Sequence, residues 1–290
     1  MGEAELVLDA HASLGERAFW DDAGGLLYWV DIEGRMLHVY DPDGGRDAAY
    51  ETADRIGTVV TRRDGGIVFA EGLRVVTADR LGGGRSILCS FEDEPPGNRL
   101  NDGKCGPGGR LWIGSINMRG ERERARLYCV QPDGSCRTVL RGVSISNGIV
   151  WTADKKTMYY IDTPVRSVRV FDYDVAAGSI SKGRTAFEVP EAMGFPDGMA
   201  VDSEDMLWIA HYGGAAVRRW DPATGSCLET VHLPVTNVTF CAFGGPDLRD
   251  LFITTAGLGR AKSDRVKEPH AGGLFCYRSK VQGVLQHTFG

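Results

Sequence analysis

Leu26-Leu27-Tyr28-Trp29-Val30-Asp31 is a short apolar run that ends in an acid and follows a turn-like segment, Asp21-Asp22-Ala23-Gly24-Gly25. Similar runs recur at Gly66-Ile67-Val68-Phe69-Ala70, Arg110-Leu111-Trp112-Ile113-Gly114, Met158-Tyr159-Tyr160-Ile161-Asp162, Met206-Leu207-Trp208-Ile209-Ala210 and Asp250-Leu251-Phe252-Ile253-Thr254. Taken at residues 28, 68, 112, 159, 208 and 252, the intervals are 40, 44, 47, 49 and 44. A period in the forties is that of propeller blades built from four strands each. Most of the runs are preceded by Asp- or Gly-containing turns such as Asp64-Gly65-Gly66 and Asp202-Ser203-Glu204-Asp205, which read as hairpin connections.

Between these anchors lie alternating segments that end in Asp before a turn: Met36 to Asp41, Ser167 to Asp172 and Ala216 to Asp221. No long helical pattern competes with them, and the charge-alternating piece Glu121 to Ala125 reads as a solvated loop. The expected fold is all-β, a six-bladed β-propeller of four-stranded antiparallel blades, one domain over residues 1–290. The same spacing would also suit a two-sheet or barrel arrangement. In a propeller, ring closure predicts that Glu5 to Leu8 pairs with the last strands, around Gly273 to Tyr277 and Val284 to Phe289.

The composition is that of an ordinary globular chain of 290 residues, 42% hydrophobic and 25% charged. Its 33 basic and 39 acidic residues, net charge −6, argue against nucleic acid and anionic membranes as partners. No apolar run is long enough to span a bilayer, and Met1 to Ala10 lacks a basic region followed by an apolar signal core, so a cytoplasmic location is expected. The expected assembly is a monomer or weak homodimer. Seven cysteines without a C-x-x-C pair, mostly inside apolar runs, read as buried free thiols.

The densest chemistry lies at Asn98-Arg99-Leu100-Asn101-Asp102-Gly103-Lys104, directly before the third anchor. Two amides, an acid and two cations in seven residues must find partners or face a cavity. Ser146-Asn147-Gly148 and Pro196-Asp197-Gly198 echo it, and Gly15-Glu16 stands before the first anchor. Each echo alone is an ordinary turn. Together, Glu16, Asn101, Asn147 and Asp197 are four oxygen donors at the entrances to different repeats, the ligand chemistry of a hard divalent cation.

Other chemistries have weaker signatures. Six scattered histidines form no H-E-x-x-H pair. His211, after the fifth anchor, is open to two readings: facing the channel near Asp197, or serving as a hydrogen-bonded structural histidine. Gly142-Val143-Ser144-Ile145-Ser146 lacks the closing Gly of a nucleophile elbow, and Gly82-Gly83-Gly84-Arg85 reads as a hairpin turn.

The order and spacing of Gly15-Glu16, Asn98 to Lys104, Ile145 to Gly148, Tyr159 to Asp162, Phe171 to Asp174, Pro196 to Met199 and Phe243 to Pro246 resemble the SMP-30/gluconolactonase/luciferin-regenerating enzyme family over nearly the whole chain. The resemblance implies one divalent metal at the channel mouth, held at Glu16, Asn147 and Asp197, with Arg99 and Asn101 contacting substrate. Many members hydrolyse sugar lactones. The expected cofactor is therefore one divalent cation, Ca²⁺ or Zn²⁺ ahead of Mg²⁺ or Mn²⁺, and the expected substrate a small sugar lactone.

This chain departs from the family at two places. Gly15-Glu16-Arg17-Ala18-Phe19-Trp20 replaces the usual Gly-Glu-Gly-Pro-x-Trp or Gly-Glu-Cys-Pro-x-Trp start, which puts metal affinity in question. Asn117-Met118-Arg119-Gly120 stands where some members carry an acidic substrate contact, so their sugar preference does not transfer. Arg119 would favour a more anionic or differently hydroxylated substrate, or lie in solvent. Trp20 and Tyr212 are candidates for a sugar-stacking surface, with core packing favoured for Trp20.

Among the implied ligands Asn147 accepts no proton at neutral pH. Glu16, beside Arg17, is expected to have a low pKa, which leaves Asp197 as the expected general base and Asp102 as its competitor. Two rivals to a lactonase use the same groups: a calcium-binding regulatory protein without catalysis, and an organophosphate or ester hydrolase.

Overall fold

The computed structural model describes residues 2–257 and 266–290, and in these the six repeats form six sheets around one axis. The blades run in chain order, each from an inner to an outer strand. Blade one spans Gly15 to Glu51, blade two Ile56 to Ser90, blade three Asn98 to Val143, blade four Ser146 to Glu188, and blade five Phe195 to His232. Blade six takes three strands from Val238 to Arg278 and its outermost from the N-terminal segment, where Glu5–Leu8 pairs antiparallel with Leu274–Arg278. This is the ring closure expected from the sequence. One further strand, Gly2–Glu3, adds in parallel to Ser226–His232 and gives blade five a fifth strand.

Val284 to Phe289 departs from expectation, because it forms no strand of the closing blade. It crosses beneath the ring instead. Val284 N–H donates to Val201 of blade five, Phe289 N–H to Thr61 of blade two, and Gly290 N–H to Gly109 of blade three. The outer edge of blade six is already taken by Glu5–Leu8, so the tail finds its backbone partners elsewhere.

Burial follows strand position. The inner strands Ile56–Thr61, Asn98–Cys105 and Ser146–Trp151 are buried throughout, whereas the outer strand Arg46–Glu51 is mostly exposed. The anchors identified in the sequence are the second strands, and their Trp29, Trp112 and Trp208 are among the largest fully buried side chains. Six apolar clusters occupy the six junctions between neighbouring blades, so each face of a blade is covered by the next one. Trp20 belongs to the cluster between blades six and one, stacked on Phe252, which gives it a packing role. Cys105, Cys129 and Cys241 are buried as expected, whereas Cys89 and Cys276 are half-buried, and Cys136 and Cys227, near the starts of outer strands, are exposed. Among the described residues no helix is long and apolar enough to cross a membrane.

Candidate functional site

Every inner strand breaks register near its first residues. The shifts fall between Glu16 and Phe19, Ile56 and Thr58, Leu100 and Gly103, Asn147 and Ile149, Pro196 and Met199, and Val238 and Phe240. A bulge turns a strand and re-aims the side chains beside it. Here the bulges stand at one end of the channel, where Glu16, Asn101, Asn147 and Asp197 line a common cavity of about 470 Å³. Blades two and six place Gly57 and Thr239 at the corresponding bulges, and Thr239 donates its hydroxyl to the Gly15 carbonyl instead of facing a ligand.

The glycines of these motifs have a packing reason. A Cβ at Gly148 would stand 2.7 Å from the Asp197 carbonyl oxygen, and one at Gly57 would stand 2.5 Å from the Asn101 carbonyl oxygen. Neighbouring inner strands approach that closely around the axis, so the Asn-Gly and Asp-Gly pairs of the sequence are contacts between blades as well as bends.

Hydrogen bonds orient the polar groups of the mouth. Asn147 donates its amide to Thr163 Oγ1 at 2.8 Å, which aims Oδ1 inward. Asn101 donates to the Ser146 carbonyl at 2.9 Å and to Asn147 Oδ1 at 3.3 Å, while its own Oδ1 accepts from Arg99 Nη1 at 2.7 Å. Asn101 thus ties Arg99 and Asn147 together. Arg99, buried, also donates Nη1 to Leu100 and Nε to Met118, and it lines the same cavity.

The two carboxylates are under electrostatic strain. Burial, then the nearby Asp102 charge, pushes Glu16 up to about 8, against the low pKa expected from Arg17 beside it. Arg17 still lowers it, through its backbone N–H and its charge, but burial outweighs both, and the Arg17 side chain itself turns down the channel to Thr58, Ala18 and Gln286. Burial raises Asp197 well above the ordinary carboxylate range, and the charges of Glu16 and Asp102 raise it further. Asp197 Oδ1 is buried with no hydrogen-bond partner. Two converging buried carboxylates, one with an orphaned oxygen, beside an inward amide oxygen, fit a hard divalent cation. Among the described residues no three His, Cys, Asp or Glu side chains gather to hold a metal, so a fit here needs the Asn147 amide.

Below the mouth lies a second polar layer. Arg17 stands 3.8 Å from Asp102, and Lys104 donates to the Met199 carbonyl at 2.9 Å. Burial, then Arg17, draws Lys104 down to about 7. Both Asp102 carboxylate oxygens lack hydrogen bonds, and Asp102 is absent from the cavity lining, so it sits under the site rather than in it. Arg17 has φ 35, in the left-handed region, at the position where the resembling family carries Gly or Cys.

The rest of the lining is partly as expected. Tyr212 and Phe195 supply aromatic surface, with Leu14, Ile32, Ile116 and Ile145. His211 is a structural histidine: it is fully buried, its Nδ1 contacts the Met193 carbonyl at 3.0 Å, and Trp220 donates to its Nε2 at 3.3 Å. Burial lowers its pKa to about 3. Arg119 is exposed; Glu121 and Arg122 are exposed too, as read from the sequence, and also border the cavity. Asn117 shapes that loop, accepting from the backbone of Arg119 and Glu121 and donating to Asn98. Only the loop's return over the mouth reveals these residues, since charge alternation alone reads as solvent.

Comparison with known proteins agrees with this architecture. The family described as SMP-30/Gluconolactonase/LRE-like region matches residues 14–257. The chain is 36% identical to "Putative sugar lactone lactonase YvrE" of Bacillus subtilis, covering 99% of this chain and 98% of that protein. It is 38% identical to regucalcin of Danio rerio, covering 97% and 95%. Among solved structures, the calcium-binding protein regucalcin of Agrobacterium tumefaciens superposes with a TM-score of 0.94 at 26% identity, over 100% of this chain and 98% of that one.

Proposed function

Because this chain belongs to the SMP-30/gluconolactonase/LRE-like family, we propose that it is a divalent-metal-dependent lactonase that opens a sugar lactone to the corresponding aldonic acid. The observation that carries this reading is the cavity. About 470 Å³ is far more than a bare cation needs and lies within the range of small-molecule sites, with polar groups converging on one wall and aromatic and aliphatic surface around them. That roominess favours hydrolysis over calcium binding without catalysis, and the cluster of amide and guanidinium groups favours a polyhydroxylated substrate over an organophosphate.

Glu16, Asn147 and Asp197 are the proposed ligands of the cation. When bound, such an ion supplies Lewis-acid polarisation of the lactone carbonyl. Arg99 binds substrate oxygens: Nη1 and Nε are engaged by Leu100, Asn101 and Met118, which leaves Nη2 as its donor toward the cavity. Asn101 holds Arg99 and Asn147 in register. Tyr212 and Phe195 offer apolar faces to the sugar ring.

Asp197 is the proposed general base. It takes a proton from a water whose oxygen bonds to the carbonyl carbon; the ring C–O bond breaks, and the proton passes to the departing alkoxide to give the hydroxy acid. Asp197 lines the cavity that would hold the substrate and this water.

The test is a pH-indicator assay of metal-stripped protein against a panel of γ- and δ-aldonolactones, with Ca²⁺, Zn²⁺, Mg²⁺ and Mn²⁺ restored singly. Saturable turnover restored by one of these ions is expected, with Asp197→Asn losing about 100-fold or more in kcat at saturating metal. No saturable turnover with any pairing would leave the cation-binding reading. An unaffected Asp197→Asn beside an inactive Asp102→Asn would move the base to Asp102.

A further inference from the structure

The outer edges of blades two and three bring together two cysteines that the channel mouth does not use. Cys89 lies in the outermost strand of blade two, Arg85–Ser90, just past a register shift. Half-buried, it packs against the apolar cluster of the junction, which includes Tyr128 and Val130 of blade three. Cys136 opens the outermost strand of blade three, Cys136–Val143, directly opposite Val130. Opposed residues of an antiparallel pair point to the same face of the sheet, so Cys136 is directed toward blade two, as Val130 is. The turn before it presses on that blade, since a Cβ at Gly134 would stand 2.6 Å from the Leu88 carbonyl oxygen. Across this contact the Cys136 thiol lies near enough to Cys89 to raise its pKa. Both are free, and Cys136 is exposed.

We propose that Cys89 and Cys136 are a redox-modification site, a thiol pair that closes into a disulfide clamping blades two and three when the chain meets a small-molecule disulfide such as glutathione disulfide. Exposed Cys136, as thiolate, attacks the oxidant; its S–S bond breaks, a mixed disulfide forms and one thiol leaves. Cys89 then loses its proton and attacks the Cys136 sulfur, and the second thiol leaves. Two cysteine thiols are oxidised, one disulfide is reduced to two thiols, and no further reactant is needed. The order follows from the surroundings: burial, then the adjoining Cys136, pushes Cys89 up to about 12, which suits it to resolve rather than to begin the exchange. The closed loop would enclose the inner strand Asn98–Cys105, which carries Arg99 and Asn101.

The experiment treats the full chain with glutathione disulfide, alkylates remaining thiols and maps peptides with and without reduction. Cleavage at Asp133 separates buried Cys129 from Cys136, which would otherwise share a peptide. The expected result is a Cys89–Cys136 linked peptide and the loss of Cys89 and Cys136 as alkylatable thiols, both reversed by dithiothreitol. Cys136→Ser should leave Cys89 alkylatable, and Cys89→Ser should leave a stable glutathione adduct on Cys136. If Cys89 of the treated native chain remains alkylatable, the proposal is overturned, whether Cys136 carries glutathione, is bridged to a second chain or is untouched. That readout needs no variant to fold.

Discussion

Glu16 and Asp197 are buried carboxylates that repel one another, so each weakens the fold near neutral pH unless a proton or a cation lies between them. Glu16 rises from 4.5 to about 8. Its contribution to stability is complete below the lower value and is lost as pH rises through the upper one, because the folded state binds the extra proton. Glu16→Gln should therefore stabilise the metal-free protein at pH 8, on the order of 2 kcal/mol or a Tm rise of about 4 °C. The same change should weaken the proposed cation site at least tenfold by removing formal charge. Thermal melts at pH 5 and 8, beside titration calorimetry, check both arms; an unchanged melt at pH 8 would refute the strained-carboxylate account. Arg99→Lys keeps the charge and loses the fork, so kcat/KM for a lactone should fall by about 10- to 100-fold with cation affinity unchanged. Steady-state kinetics and calorimetry on the same preparation separate the two effects.

At the scale of the strand, the mouth depends on bulges whose small residues let neighbouring blades touch. Gly148 is the clearest case, since its Cβ position is 2.7 Å from the Asp197 carbonyl oxygen and 2.8 Å from Ile161 Cδ1. Ile161 can rotate, but the inner strand of blade five is itself packed on blade six, where a Cβ at Gly198 would collide with the Phe240 ring. Gly148→Ala should cost about 1–3 kcal/mol as overpacking. Because the displaced strand carries Asp197, cation affinity should fall as well, although residue 148 offers no ligand. A variant that is destabilised while binding the cation normally would show that the inner strands move independently of the site. The blade-three loop works on the same principle. Glu94 accepts from Asn98, Ser115 and Tyr128, Asn98 accepts from Asn117, and Asn117 shapes the turn that brings Glu121 and Arg122 to the cavity.

At the scale of the whole ring, both chain segments outside the six repeats act as fasteners. The N-terminal strand completes blade six, and the tail after Gly283 ties together blades five, two and three under the channel, where Gln286 also accepts from Arg17 and Phe289 is buried. Deleting Val284 to Gly290 removes the Phe289 side chain, worth roughly 2–3 kcal/mol of burial, and uncovers Arg17. A Tm loss of about 5 °C or more is expected, and a melt within 1–2 °C of the full chain would show the tail to be passive. How much of this could be read beforehand depended on range. The sequence by itself determined the blades, their number and the polar residues at their entrances, because strand alternation and turn chemistry are local and recur with a fixed period. Only the tertiary structure decided where side chains turn once the ring has closed. It sent Arg17 down the channel instead of toward Glu16, made His211 a buried partner of Trp220, carried the tail beneath the ring and set Cys89 against Cys136. Each of those outcomes depends on burial and on a neighbour between 9 and 269 residues away, which no local pattern encodes.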